Sequence, residues 1–260
     1  MRKHLVVAAG LIVAGATISH SALAQDKHEG RGKSEQHTND PHNNNNRNNE
    51  NGDPRRQAQQ QQVSQQEQQR RIGEEQRRQG DYQRALDMRM REAQAHQAQL
   101  QAERRNAQYA QQQAYYANLQ AQRARMAQQR NYQNDPYYTT AHTYRYRVAG
   151  VNRQTNQYGA DVLRSAVNNG YSQGVQAGRA DRQDGRGANY SANFAYRDAN
   201  YGYNGQYVAQ SDYNYYFRQG FQRGYNDGYA STTRYGSYNN GTGSILGSLL
   251  TSILGFTTSH

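Results

Sequence analysis

The chain has 260 residues, no cysteine, no tryptophan and a formal charge of +11. Lacking cysteine, it has neither a disulfide framework nor a thiolate metal site. From Gln25 onward only 22 of 236 residues, about 9%, are Leu, Ile, Val or Phe, which leaves room for one small core in which tyrosine does much of the burying.

The start of the chain has the three-part layout of a secretory leader. Arg2, Lys3 and His4 form a basic head, Leu5 to Ile18 an apolar run, and Ala22-Leu23-Ala24 a small-residue cleavage site before Gln25. Residues 1–24 are therefore expected to be a signal peptide. The mature chain is expected to be exported: periplasmic, envelope-associated or extracellular. Residues 25–54 contain the run Asn43-Asn44-Asn45-Asn46 and no Leu, Ile, Val, Phe or Tyr. Nothing there offsets the entropy of ordering, so a disordered Asn-rich linker is expected.

Residues 55–134 change character. Of these 80 residues, 25 are glutamine, 14 arginine and seven acidic. Good helix formers dominate, so one long, solvated Gln/Arg/Ala-rich helix is expected. A seven-residue series, Leu86, Ala93, Leu100, Ala107, Ala114 and Ala121, with Ala110, Ala117 and Ala124 beside its last part, offers a weak coiled-coil seam. Arginine provides almost all the basic charge, since Lys3, Lys27 and Lys33 are the only lysines. Its planar fork suits phosphate and carboxylate, which makes Arg70, Arg71, Arg77, Arg78, Arg104 and Arg105 candidate polyanion contacts. Asp135-Pro136 ends the helix. The connector 135–157 holds a short alternation, Tyr144-Arg145-Tyr146-Arg147-Val148, that reads as an edge strand.

Residues 158–230 are the candidate folded domain. Gly170, Gly174 and Gly178 recur fifty residues later as Gly220, Gly224 and Gly228. Beside the first set run Leu163, Val167, Tyr171 and Val175, and beside the second Tyr213, Phe217, Phe221 and Tyr225, at the same offset. Four-residue spacing places each set on one helix face. Six helix-interior glycines cost about 1 kcal/mol each relative to alanine, and close backbone approach is the return that would offset this. The expected arrangement is a glycine zipper: an antiparallel hairpin of helices over about 159–184 and 211–229, with a short helix over about 191–201 between them. Charges such as Asp181, Asp184 and Asp227 are expected off the packed stripes. The strings Asn169-Gly170-Tyr171-Ser172-Gln173-Gly174 and Tyr216 to Tyr225 resemble those of uncharacterised secreted bacterial proteins with Gly-Tyr repeats. That resemblance implies a bacterial envelope setting and carries no activity with it.

Residues 231–243 read as a flexible tether and 244–256 as an apolar amphipathic helix. Ile245, Leu246, Leu249, Leu250, Ile253 and Leu254 form its stripe. It is too short to span a bilayer core, and three fates are open to it: docking on the Gly-Tyr domain, self-association, or lying in a membrane interface. No phosphate loop, zinc-protease motif or nucleophile elbow occurs, so no catalytic residue, metal, cofactor or small-molecule substrate is expected. The sequence predicts a mainly α protein: a long Gln/Arg-rich helix plus a small glycine-zipper hairpin, with extensive disorder. It also predicts an exported, non-catalytic structural or self-assembling envelope protein whose partner is itself or another envelope protein. The alternative is a module binding nucleic acid, acidic polysaccharide or lipopolysaccharide through arginine and tyrosine.

Overall fold

A computed structural model describes residues 63–128 and 131–258. The leader, the Asn-rich segment and the first residues of the Gln/Arg-rich segment lie outside the described residues. What is described is mainly helical: α1 (Gln65–Ala102), α2 (Asn106–Met126), α3 (Gln157–Gln183), α4 (Phe194–Asp198), α5 (Gln210–Ala230) and α6 (Gly247–Leu254). The strands are β1 (Tyr144–Val148), β2 (Val151–Thr155), β3 (Gly236–Asn239), β4 (Thr242–Ile245) and β5 (Thr257–Thr258).

The Gln/Arg-rich segment is two helices rather than one. Ser64 and Glu67 supply the sequence of a capping box at the start of α1, and the Ser64 hydroxyl accepts from the Glu67 N–H at 3.2 Å. The break after Ala102 carries no glycine or proline. Arg104 instead adopts φ +56°, while the Arg105 N–H donates to the Leu100 carbonyl at 2.9 Å and the Arg104 N–H to the Gln101 carbonyl at 3.0 Å. That is a Schellman ending with arginine where glycine is usual. Asp184, at the end of α3, then accepts from the N–H groups of Ala107 and Gln108, both at 2.9 Å. A carboxylate from another helix thus caps the bare N-terminus of α2. Neither helix is a solvated rod: α1 buries Ile72, Tyr82, Leu86, Ala93 and Leu100, and α2 buries Tyr115, Leu119 and Met126. On α2 the buried line also includes Gln108, Gln111, Gln112 and Gln122, whereas Ala110, Ala114, Ala117 and Ala124 of the expected seam are exposed.

Helices α3 and α5 form the centre, and the orientation expected from sequence is overturned. The helices run parallel. A Cβ built on Gly170 would lie 2.0 Å from the Phe217 carbonyl oxygen, one on Gly174 2.1 Å from that of Phe221, and one on Gly178 2.3 Å from that of Tyr225. Reciprocally, Gly220, Gly224 and Gly228 face the carbonyls of Val167, Tyr171 and Val175 at 2.0, 2.0 and 2.2 Å. Each glycine therefore meets the carbonyl three residues before its own fifty-residue counterpart, which is a local two-fold relation between the two helices. Alanine at any of these positions would force the backbones apart. A parallel pair needs a connection that returns along its length, and residues 184–209, with α4 among them, make that return. Along α5 the rings of Tyr213, Phe217, Phe221, Tyr225 and Tyr229 stack in succession, centroids 6.1–6.4 Å apart.

Two further segments depart from expectation. Residues 236–245 are a β-hairpin rather than a tether. Asn240 and Gly241 at its turn have φ +48° and +83°, the positive-φ pair of a type I′ turn. The hairpin lies on α3, where Gly236 and Gly243 abut the Tyr171 ring. The tail is a strand followed by an eight-residue helix rather than one continuous helix. It docks on the core through buried Ile245 and Leu254, with Leu249, Leu250 and Ile253 half-buried and Leu246 exposed. Finally, β1 is the middle strand of a sheet ordered β2-β1-β5, not an edge, and β2 and β5 are the edges.

Candidate anion-binding surface

Burial of a carboxylate is costly unless it is paired and hydrogen-bonded, and the chain solves this repeatedly with tyrosine and arginine. Asp198 accepts from the Tyr115 hydroxyl at 2.5 Å and pairs with Arg89 at 2.6 Å. Asp181 accepts from the Tyr225 hydroxyl at 2.6 Å and pairs with Arg105 at 2.5 Å. Asp212 accepts from the Tyr146 hydroxyl at 2.9 Å and pairs with Arg153 at 3.2 Å. Asp227 accepts from the Tyr171 hydroxyl at 2.8 Å and, in place of an arginine, from Thr232 and the N–H groups of Arg234 and Tyr235. Asp181 and Asp227 are therefore inside the packed interface rather than off it.

This internal use of arginine sorts the positions singled out from sequence. Arg70 pairs with Glu67 and Glu74, Arg71 with Glu67, Arg78 with Glu75 and Arg105 with Asp181. Arg71 is buried and also donates to the Thr140 carbonyl at 2.9 Å. All four have carboxylate partners where they stand; Arg105 ties α2 to α3, whereas Arg70 forms an exposed pair within α1. Arg77 and Arg104 carry no ion pair to the described residues; Arg77 lies within α1 and Arg104 in the break beyond its far end, so the six do not form one surface. The six glycines and their neighbours Leu163, Val167, Tyr171, Val175, Phe217, Phe221 and Tyr225 are brought together in the α3–α5 interface, and the tail residues lie on the core; none of them lines a surface hollow described below.

Among the described residues, three surface hollows stand out. One, about 620 Å³, lies between α1 and α4 and is lined by Met88, Arg89, His96, Phe194, Arg197 and their neighbours. His96 stacks on Phe194 with centroids 5.7 Å apart, and burial followed by nearby Arg197 holds its imidazole below its usual value. A second, about 240 Å³, is bordered by Arg70, Arg71, Arg78, Tyr137, His142 and Asp212. Its arginines are the ion-paired ones. Burial, reinforced by Arg71, pushes His142 down to about 4, and burial pushes Tyr137 up to about 12.

The third hollow, about 740 Å³, is built on the β1–β2 hairpin and lined by Arg145, Arg147, Asn152, Gln154, Gly255 and Thr257 among others. Its geometry follows from register. Arg145 stands opposite Gln154 and Thr257, and Arg147 opposite Asn152. Directly opposed residues share a sheet face, so two arginines, two amides and a hydroxyl point the same way. Tyr146 and Val148, on the other face, are buried in the core. The turn that fixes this register is Ala149-Gly150, φ +47° and +88°, again the type I′ pair. All five outward residues are exposed. Among the described residues neither Arg145 nor Arg147 has a carboxylate within ion-pair distance; the Arg147 Nε donates to the Gly150 carbonyl at 3.1 Å. The alternation in Tyr144-Arg145-Tyr146-Arg147-Val148 was the sequence signal for this face, because period two sends both arginines to one side.

Among the described residues no three His, Cys, Asp or Glu side chains converge as a metal site, and no helix is long and apolar enough to cross a membrane. Comparison with protein-family models, with curated proteins and with solved structures finds no match.

Proposed function

We propose that this chain is an exported, non-catalytic module that binds polyanions through the arginine-bearing face of the β1–β2 hairpin. Export rests on the basic head, apolar run and Ala22-Leu23-Ala24 of the leader. Binding rests on one observation: most arginines of α1 are paired within the chain, while Arg145 and Arg147 stand side by side and exposed, with no carboxylate partner among the described residues. An exposed guanidinium pair on a paired strand is suited to bidentate contact with carboxylate or phosphate. The assembly reading ranks second, because the six glycines and the buried Ile245 and Leu254 are occupied within a single chain.

The direct test is retention of the full chain on immobilised heparin as salt is raised. Binding at low ionic strength that is lost as salt rises is the expected result, since exposed charge pairs are screened within about 8–10 Å at physiological salt. Failure to bind heparin at low salt rejects the proposal.

A further inference from the structure

The composition of the hairpin face narrows the kind of polyanion, granted the reading above. Sequence-tolerant recognition of single-stranded nucleic acid combines basic groups with exposed rings on which bases stack. The face has the basic groups and lacks the rings. Tyr146 is buried and its hydroxyl is committed to Asp212. Tyr144 is half-buried, lies on the same side of the sheet as Tyr146, and packs edge-on against Phe256 at 5.7 Å, with the Arg164 guanidinium over both rings. What the outward face offers beside Arg145 and Arg147 is Asn152, Gln154 and Thr257. Amides and a hydroxyl both donate and accept, which suits a ligand dense in hydroxyl groups.

Residues two apart on a strand are about 6.6–6.8 Å apart, so Arg145 and Arg147 offer two guanidinium forks at roughly that separation. A polymer with carboxylates along its backbone and hydroxyls between them presents the groups that these forks and their polar neighbours can bind. From this we infer that the ligand is an acidic polysaccharide of the uronate type, held by carboxylate–guanidinium pairs from Arg145 and Arg147 and by hydroxyl contacts to Asn152, Gln154 and Thr257.

The experiment compares binding of the full chain to polygalacturonate, to its methyl ester and to an oligothymidylate of matched charge, at low and physiological salt. The paired substitutions are Arg145→Ala with Arg147→Ala on the face, and Arg77→Ala with Arg104→Ala elsewhere, which removes the same charge. Circular dichroism establishes that each variant is folded. The expected result is that polygalacturonate binds best and the ester scarcely at all. The face variant should weaken binding by about tenfold or more, as expected for losing charge-assisted hydrogen bonds, while the Arg77/Arg104 variant stays within about twofold. Tighter binding of oligothymidylate than of polygalacturonate overturns the inference and leaves the polyanion reading standing. Equal weakening by both variants overturns the placement on this face, because affinity then follows net charge alone. No binding to either polymer at low salt overturns both.

Discussion

Tyr115 and Arg89 converge on Asp198 from α2 and α1, one through a hydroxyl and the other through a guanidinium. The carboxylate is 2% exposed and Arg89 25%, so neither pair is a solvent-screened surface contact. Removing the two partners should have unequal effects. Tyr115→Phe removes a hydroxyl that donates to Asp198 and accepts from the Asn200 N–H at 3.2 Å, but it leaves the charge compensated, an expected loss of about 1–2 kcal/mol. Arg89→Met leaves a buried carboxylate without its cation, an expected loss of about 3–5 kcal/mol. Urea unfolding of the two variants checks the order; a loss for Tyr115→Phe equal to or larger than that for Arg89→Met would mean that the guanidinium is not the main compensation. The aspartates involved were visible in the sequence, but their burial was not. An acidic residue in an arginine-rich helix looks solvated until another helix covers it.

Helix pairing carries the sharper contrast. At Gly174 a new methyl would meet the Phe221 carbonyl oxygen and the Tyr225 backbone nitrogen, at 2.1 and 2.7 Å. Those atoms belong to a helix backbone and cannot swing aside. Gly174→Ala is expected to destabilise by about 3 kcal/mol or more, at or beyond the usual range for overpacking. Gly73 is also inside a helix, with nothing within 4 Å of its would-be Cβ, and Gly73→Ala should stabilise by about 0.5–1 kcal/mol through helix propensity. Opposite shifts in thermal midpoint are the signature, and a gain at both positions would contradict the close approach. Glycine spacing marked which faces meet. It did not fix their direction, because a line of small residues every fourth position is the same read from either end. Direction came from the 184–209 return, whose Tyr203 hydroxyl reaches the Val208 carbonyl at 2.8 Å and whose Asp198 is gripped by α1 and α2. The Asn240-Gly241 turn, by contrast, was legible as a hairpin signal, and the glycines and polar residues around it disguised it as a tether.

Taken together, the burial pattern sets how stability responds to pH. Burial raises the phenols of Tyr137 and Tyr216 to about 12 and pushes Tyr146, Tyr203 and Tyr213 in the same direction. A phenol with a raised folded value keeps its proton longer in the folded state than in the unfolded one. Its stabilising effect is full below the ordinary value near 10 and is lost as pH climbs through about 12. On the acid side, Glu67 is lowered to about 2 by its hydrogen bond to Arg70, against some desolvation and with further help from Arg71. Its contribution is full above the ordinary value of about 4.5 and is lost as pH falls through about 2. His142, lowered to about 4 by burial and Arg71, likewise favours the fold above its ordinary value near 6.5 and ceases to do so as pH falls through about 4. Stability should form a plateau between roughly pH 6.5 and 10. The loss above it should coincide with the rise in tyrosinate absorbance, because these phenols ionise as they are exposed. Tyrosinate absorbance that rises fully while the helical circular dichroism persists would contradict this burial.

The mainly helical class, the α3 and α5 segments to within two or three residues, and the scarcity of aliphatic core that leaves burial to tyrosine were all legible in the chain alone. Those are local properties, set by propensity, by four-residue spacing and by composition. Tertiary packing was needed to establish that α3 and α5 run parallel, that α1 and α2 part at Arg104, that the tail docks, and that Arg70, Arg71, Arg78 and Arg105 have carboxylate partners whereas, among the described residues, Arg145 and Arg147 have none. Each of these depends on a partner distant in sequence: Asp184 capping α2, Asp181 claiming Arg105, or the core drawing Tyr146 inward so that its strand neighbours face out. Charge in a sequence is a sum over residues, whereas free charge at a surface is what remains after the fold has paired the rest.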